Sequence, residues 1–228
     1  LKTFLTKELP DVEVSVSSDV CPEIREYERF TTTVVNAYIK PLMSNYLKKL
    51  DQKLFHFGFN CPLLLMTSGG TLTNISSACN NPVRLVESGP AGGAILATSI
   101  AEDMNLSKVI SFDMGGTTAK ITIIENKKSI KAREFEVDRK ARFKKGSGYP
   151  LRIPVIEMVE IGAGGGSIAR VNKLEQIITG PDSAGSFPGP ACYSNGGSMP
   201  TITDADLVIG KINPDNFAGG KIKLSKQL

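Results

Sequence analysis

Several features that would assign this chain of 228 residues to a familiar class are scarce or absent. The sequence has one histidine and four cysteines without a Cys-x-x-Cys pair, so we expect neither a structural zinc site nor a disulfide framework. No apolar run approaches the roughly 18 residues of a membrane-spanning helix, and no apolar signal region opens the chain. These absences predict a cytoplasmic protein with free thiols and no membrane partner.

The net charge of +4 is concentrated in one segment. Residues 126–145 contain nine lysines and arginines against three acidic residues, a balance of +6 that leaves −2 for the rest of the chain. A basic run of this kind is usually a solvated hairpin or a mobile loop. We therefore expect the segment to be mobile and dispensable, and we expect no nucleic-acid partner.

Many of the 22 glycines cluster near positions 69, 92, 115 and 164. Glycine-rich loops either surround a ligand or occur where two backbones pack closely, and the sequence leaves both interpretations open. The cluster near 69 lies between a predicted strand over 62–67 and a predicted helix over 74–79, an order typical of ligand loops in α/β sheets.

The most informative segment reads Phe-Asp-Met-Gly-Gly-Thr-Thr between two apolar strands. Gly115 and Gly116 remove side chains from the predicted turn, so its amides are able to close around an anion. Thr117 and Thr118 add hydroxyl donors, and Asp113 is placed to hold a Mg²⁺ ion beside the terminal phosphates of a nucleotide. An ordinary β-hairpin with glycine at its turn is the alternative.

A predicted helix directly upstream favours the nucleotide interpretation. The small residues 88–93 open it, and Ala97, Ile100, Ala101 and Met104 follow the i, i+3, i+4, i+7 spacing of one helix face. A small-residue helix start followed by an Asp-x-Gly-Gly-Thr strand matches the connecting helix and second phosphate loop of actin-like ATPases. We therefore favour that superfamily over a generic hairpin.

We divide the chain into three segments. Residues 1–87 are predicted to be rich in helix, including a long amphipathic helix over 31–57 that Pro41 kinks or splits. Residues 88–179 carry the phosphate-binding hairpin and further strands, and residues 180–228 are rich in glycine and proline. A short helix near residue 204 is expected in the last segment, capped by Thr203 or Asp204.

Six stretches of the sequence together resemble the hydantoinase A/oxoprolinase family. They are 25–38, 88–93, 112–117, 162–169, 180–193 and 200–217, in the family's order and spacing. The family includes ATP-dependent N-methylhydantoinases, 5-oxoprolinases and the ATP-binding subunits of acetone-type carboxylases. The resemblance implies an α/β chain that is a portion of an actin-like (ribonuclease H-like) ATPase fold, with a Gly/Pro-rich C-terminal loop region.

The resemblance also implies a function for the parent protein, which is ATP- and Mg²⁺-dependent hydrolysis of a cyclic amide through phosphorylation of its carbonyl oxygen. Asp113 is then the catalytic and metal-binding residue. Asp204 and the Gly164–Ser167 loop are further candidates for lining the site, and loop architecture is the alternative explanation that we favour for both. The expected phosphate-binding residues are Gly115, Gly116, Thr117, Thr118, Gly164, Gly165, Gly166 and Ser167. The alternatives are an ATP-binding subunit of an acetone-type carboxylase and a non-catalytic scaffold or regulatory member.

Three departures from the family pattern bear on this expectation. Ala119 and Lys120 stand where the family usually has Thr-Asp, and the loop near 66 lacks the usual Asn or Asp before its glycine pair. The family's first phosphate loop and its adenosine loop fall outside residues 1–228. We therefore expect a central fragment that hydrolyses no ATP alone and works with the rest of its polypeptide and a hydantoinase B-type partner.

Overall fold

The computed structural model describes residues 2–140, 144 and 146–227, and within them helices and strands alternate. The α-helices are α1 (Lys2–Glu8), α2 (Ser17–Val20), α3 (Glu26–His56), α4 (Ile75–Asn80), α5 (Ser88–Asp103) and α6 (Ile202–Val208). The strands are β1 (Leu64–Met66), β2 (Leu72–Asn74), β3 (Lys108–Met114), β4 (Ala119–Glu125), β5 (Lys128–Ser129), β6 (Lys131–Ala132), β7 (Phe135–Val137), β8 (Tyr149–Leu151), β9 (Val155–Ile156), β10 (Val159–Ile161), β11 (Ser167–Val171) and β12 (Ile177–Ser183). None of the helices in these ranges is long and apolar enough to cross a membrane.

The chain divides into two compact units by contact. Unit 1 contains Leu1–Val109 and Ile123–Glu157, and unit 2 contains Ile110–Thr122 and Met158–Leu228. Two of the three boundaries fall inside β3 and β4, and the third falls between β9 and β10. The three sequence segments proposed above divide the chain differently and stay a prediction.

Unit 1 is organised around α3, which is one continuous helix of 31 residues with Pro41 inside it. Of the two outcomes predicted for Pro41, a split is therefore wrong, while a kink stays a prediction. The charges of residues 23–30 predict a connection, whereas the helix begins at Glu26. Asn36 is fully buried, and its side-chain amide donates to the Asn80 carbonyl at 3.2 Å while its side-chain oxygen accepts from the Val83 amide at 3.2 Å. These bonds tie α3 to the turn that follows α4.

The core of unit 1 joins α2 and α3 to the strands that follow residue 130. Its buried members are Val20, Val83, Leu151, Ile153 and Val155, and Val35, Ile39, Phe135 and Val137 pack against them. Helical spacing predicts one apolar face of α3 that contains Val35, Tyr38, Ile39, Leu42, Met43, Tyr46, Leu47, Leu50 and Leu54. This face is only partly covered, because Tyr38, Leu42 and Tyr46 are exposed at 85%, 74% and 57%. Helical periodicity predicts which residues share a face and does not show which part of that face has a neighbour.

The basic segment 126–145 is partly built into this unit, which corrects the expectation of a mobile segment for its paired residues, whereas its dispensability stays a prediction. Within it, β5 pairs with β4, β6 with β9 and β7 with β8, all antiparallel. Residues 141–143 and 145 lie outside the described residues. The sequence predicts one strand over 129–137 and another over 151–161, but the structure has short separate strands in both ranges. It also predicts a short strand over 12–16, which does not form.

Unit 2 contains the hairpin and the Gly/Pro-rich region. Strand β10 pairs antiparallel with β4, with Ile161 opposite Ala119 and Glu160 opposite Lys120. Strands β11 and β12 form a second antiparallel pair, and α6 packs on a small core of Cys192, Leu207 and Leu224. All four cysteines of the chain are free thiols, as expected.

Candidate functional site

The Asp-x-Gly-Gly-Thr segment forms the predicted tight turn between β3 and β4. The Gly115 amide donates to the Thr118 carbonyl at 2.9 Å, which closes the turn. Across residues 2–140, 144 and 146–227 there is no hydrogen-bond acceptor for the amides of Gly116 and Thr117. Two backbone donors at an exposed turn are therefore available to an anion.

Asp113 lies on β3, two residues before Gly115, and is exposed. The described part of the chain offers its carboxylate neither a hydrogen bond nor an ion pair. No cluster of three or more potential metal ligands exists among the described residues. A single carboxylate, that of Asp113, fits Mg²⁺ better than zinc. Mg²⁺ is held by one or two carboxylates and keeps waters and phosphate oxygens as its other ligands.

The fold itself does not explain the glycine at position 116. Its φ lies outside the left-handed range, and a Cβ built there would meet no atom within 4 Å. Neither backbone conformation nor packing therefore demands glycine at this position. The space beside Gly116, at the turn with the two unpaired amides, is therefore open.

The glycine-rich loop at 162–167 packs directly against this turn, so the structure brings the two predicted loops together. The Gly165 amide donates to the Gly115 carbonyl at 2.9 Å, and the Gly166 amide donates to the Gly116 carbonyl at 2.8 Å. A Cβ at Gly164 would lie 2.5 Å from the Thr117 nitrogen. Glycine is required here because two backbones come into contact.

The amides of Gly164, Gly165, Gly166 and Ser167 already donate hydrogen bonds within the protein. Besides the two bonds to the turn, the Gly164 amide donates to the Ser167 hydroxyl at 2.9 Å, and the Ser167 amide donates to the Gly164 carbonyl at 2.9 Å. Direct phosphate contact through Gly164, Gly165, Gly166 and Ser167, which the sequence analysis expected, therefore has no free amide to act through. The geometry favours a supporting role, in which these residues hold the turn in place.

Asp204 is the centre of a hydrogen-bond network rather than an open ligand site. Its carboxylate accepts from the Cys192 amide at 2.8 Å, from the Ala191 amide at 3.3 Å, and from the amide and hydroxyl of Thr201, both at 2.8 Å. Thr201, not Thr203 or Asp204, is the N-cap of α6, and Asp204 completes a capping box with it. The spacing Thr-x-x-Asp was the signal in the sequence that could have identified this cap.

The network perturbs the titration of both of its acidic groups. Burial alone would raise the pKa of Asp204, but hydrogen bonds from the Cys192 thiol and amide and from Thr201 together hold it below its ordinary value. Burial, reinforced by the Asp204 carboxylate, raises the pKa of the Cys192 thiol to about 12. Cys192 is therefore a buried structural thiol and not a nucleophile.

We predict that Asp204→Asn destabilises the protein by about 2–4 kcal/mol at neutral pH, because an amide cannot accept from all four donors. The lowered pKa of folded Asp204 contributes stability above the ordinary carboxyl pKa of about 3.9, and this contribution is lost as the pH falls through the folded pKa. The gap between wild type and variant should therefore narrow below about pH 4. Urea unfolding of wild type and Asp204→Asn, at neutral pH and again below about pH 4, measures the two differences in stability.

Asp206→Asn on the same helix is the matched control for this prediction. Asp206 forms one ion pair with the exposed Lys211 at 3.6 Å, and an exposed pair of this kind contributes at most about 1 kcal/mol. Equal stability losses in the two variants would contradict the structural role of Asp204.

Lys120, one of the departures from the family pattern, has a place within the sheet. It lies directly opposite Glu160 in the β4–β10 register, and opposite charges at such positions stabilise the strand pair. This position in the sheet accounts for a lysine at residue 120 without a role in phosphate binding.

Comparisons with known proteins agree with the resemblance seen in the sequence. The family model for hydantoinase/oxoprolinase matches residues 29–228. An uncharacterized protein of Methanocaldococcus jannaschii is 47% identical over 221 residues, which is 96% of this chain and 32% of that protein. The caprolactamase subunit alpha of Pseudomonas jessenii is 36% identical over 219 residues, which is 96% of this chain and 30% of that subunit.

Two solved structures match almost the whole chain. A nucleotide-free structure of acetone carboxylase has a TM-score of 0.72 at 28% identity and covers 99% of this chain and 30% of its own. The crystal structure of the ATP-dependent caprolactamase of Pseudomonas jessenii has a TM-score of 0.70 at 35% identity and covers 99% of this chain and 31% of its own. The chain thus spans about a third of the length of these first two relatives, and 15–16% of the length of two 5-oxoprolinases that it also matches.

Proposed function

Because the chain belongs to the hydantoinase/oxoprolinase family, we propose that it supplies a phosphate-binding segment of an enzyme that hydrolyses a cyclic amide at the expense of ATP. The fold proposed for this segment is actin-like. The observation that carries the proposal is the turn at Gly116, where two amides are unpaired and neither packing nor backbone conformation demands glycine.

Each residue of the turn has its own role in holding the phosphates. Gly116 and Thr117 donate their amides, Thr118 lends its hydroxyl, and Asp113 holds Mg²⁺ or one of its waters. Gly115 contributes through its carbonyl, which fixes the turn by accepting from the Gly165 amide. Phosphoryl transfer depends mainly on positioning and charge neutralisation, so a turn of this kind needs no protein nucleophile.

ATP supplies the driving force, because transfer of its γ-phosphoryl group to the carbonyl oxygen makes the amide carbon open to attack by water. The overall products are then ADP, inorganic phosphate and the ring-opened amino carboxylate. Relatives named as a caprolactamase subunit and as 5-oxoprolinases favour this substrate class. The specific lactam is not part of the proposal.

The second candidate is the ATP-binding subunit of an acetone-type carboxylase, which the TM-score of 0.72 to acetone carboxylase favours. The higher identity to caprolactamase, 36% against 31% for the acetone carboxylase beta subunit, ranks the amide hydrolase first. Relatives of both kinds are named as subunits. We therefore propose a hydantoinase B-type partner for the full-length protein, and a cytoplasmic location stays a prediction.

The test is ATP hydrolysis by the full-length protein, together with its partner subunit, in the presence of a panel of lactams. We expect phosphate release that depends on one class of lactam and matches the amino carboxylate formed mole for mole. Ketone- and bicarbonate-dependent hydrolysis would instead support the carboxylase. Absence of ATP hydrolysis both with the lactams and with ketone and bicarbonate would support a non-catalytic member of the family.

A further inference from the structure

The loop near 69, which the proposed function does not use, borders a cleft of about 260 Å³ in unit 1. The loop joins β1 to β2, and it is closed by the Thr67 amide donating to the Thr71 carbonyl at 2.8 Å and by Gly70 at a φ of +73°. The hairpin replaces the strand–loop–helix order expected from the sequence. The other walls of the cleft come from α4 and from the short helical turn at Pro82–Leu85.

Several polar side chains face this cleft without partners of their own. The hydroxyls of Thr67 and Thr71 bond to each other at 2.9 Å. In contrast, Thr73, Ser77, Asn81 and Arg84 line the cleft, and in residues 2–140, 144 and 146–227 no hydrogen bond or ion pair engages their side-chain polar groups. They are available to a ligand.

Hydrogen bonds to the backbone carbonyl of Arg84 hold this residue in place, and its side chain takes no part in them. Its carbonyl accepts from the amide of Ser68 at 2.8 Å and from the hydroxyl of Ser68 at 2.7 Å, and Ser68 is buried. Among the described residues that line the cleft, the exposed guanidinium is the only charged group. The cleft therefore favours an anion, and the planar fork of an arginine matches a carboxylate.

The remaining lining residues are apolar and limit the size of the ligand. Leu72, Ala78 and Leu85 form this part of the wall. The volume lies just below the roughly 300–1,000 Å³ of pockets for drug-sized ligands. One cation with an apolar wall suits a small organic acid better than a phosphate, which is usually bound by several cations or by a cradle of amides.

We propose that this cleft binds a small organic carboxylate with a short apolar body. Arg84 holds the carboxylate, Thr73, Ser77 and Asn81 bond its remaining polar atoms, and Leu72 and Leu85 contact its hydrocarbon part. This site does not depend on nucleotide binding or on the proposed reaction. Carboxylated lactams and the amino acids released by lactam hydrolysis both belong to the ligand class.

The test uses 5-oxoproline and 2-pyrrolidinone, which share a five-membered lactam ring and differ in the carboxylate. Binding to the full-length protein is measured by calorimetry without nucleotide. We expect 5-oxoproline to bind at least about tenfold more tightly, Arg84→Gln to remove this preference, and Thr73→Val to weaken binding by about two- to fivefold. Arg133→Gln, which changes an exposed arginine outside the cleft, should leave the preference intact.

Three results would overturn the proposal. They are equal affinity for the two lactams, an unchanged preference in a folded Arg84→Gln variant, and absence of binding by 5-oxoproline. Inorganic phosphate that binds as tightly as 5-oxoproline and is lost in Arg84→Gln would also refute the carboxylate assignment, because it would show a simple anion site. Lactam-dependent ATP hydrolysis is measured separately, so failure here leaves the proposed function standing.

Discussion

Replacing Asp113 by Asn in the full-length protein should lower the rate of ATP hydrolysis by about 100-fold or more while leaving the protein folded. The neutral amide keeps the shape of the side chain but no longer offsets the charge of a metal ion at the phosphates. Because Asp113 is exposed and has no partner among the described residues, its loss should change stability by less than about 0.5 kcal/mol. Steady-state phosphate release and thermal unfolding measure the two effects.

Glu125→Gln provides the control, because it neutralises an exposed carboxylate at the far end of β4. The control variant should hydrolyse ATP at the wild-type rate. Higher Mg²⁺ concentration should restore part of the activity of Asp113→Asn, since the lost ligand weakens metal binding first. Wild-type activity in a folded Asp113→Asn variant would remove Asp113 from the site.

The second large effect is expected from Gly164→Ala. A Cβ at this position would lie 2.5 Å from the Thr117 nitrogen and 2.6 Å from the carbonyl carbons of Gly116 and Thr117. These are backbone atoms, so no side chain is able to rotate away, and the two loops must separate. We expect a loss of about 3 kcal/mol or more in the free energy of unfolding, with loss of nucleotide binding.

Gly116→Ala is the matched control for folding. It adds the same methyl group to the facing loop, where no atom lies within 4 Å, and it should leave the free energy of unfolding within about 0.5 kcal/mol of wild type. Denaturant unfolding of the two variants compares them directly. Equal stability would contradict the close packing of the two loops.

Much of the candidate site was predictable because its signals are local. The turn after Asp113, its two strands and α5 follow from composition and spacing within about twenty residues, and all of them form as expected. The packing role of Gly164 was not predictable from local signals. It depends on contact with Gly116 and Thr117, nearly fifty residues earlier, and glycine that serves a ligand looks identical in sequence to glycine that serves packing.

The basic segment and Asp204 also depend on contacts between residues that are distant in the chain. The interpretation of the basic segment rested on its charge, whereas Phe135 and Val137 within it pack against the core of unit 1. For Asp204 the sequence left loop architecture as the alternative to a place in the site, and the hydrogen bonds from the Ala191 and Cys192 amides, ten or more residues earlier, favour loop architecture. Long-range contacts of this kind leave no periodic signal in the chain.

The central claim, that the turn at Gly116 holds the phosphates of a nucleotide, is tested most directly by the affinity of Gly116→Ala for Mg²⁺–ATP. The full-length variant and wild type are compared by calorimetry, with thermal unfolding as the measure of folding. The account predicts unchanged stability and affinity at least about tenfold weaker, because the added methyl group keeps phosphate away from the Gly116 and Thr117 amides. Wild-type affinity in the folded variant would contradict it.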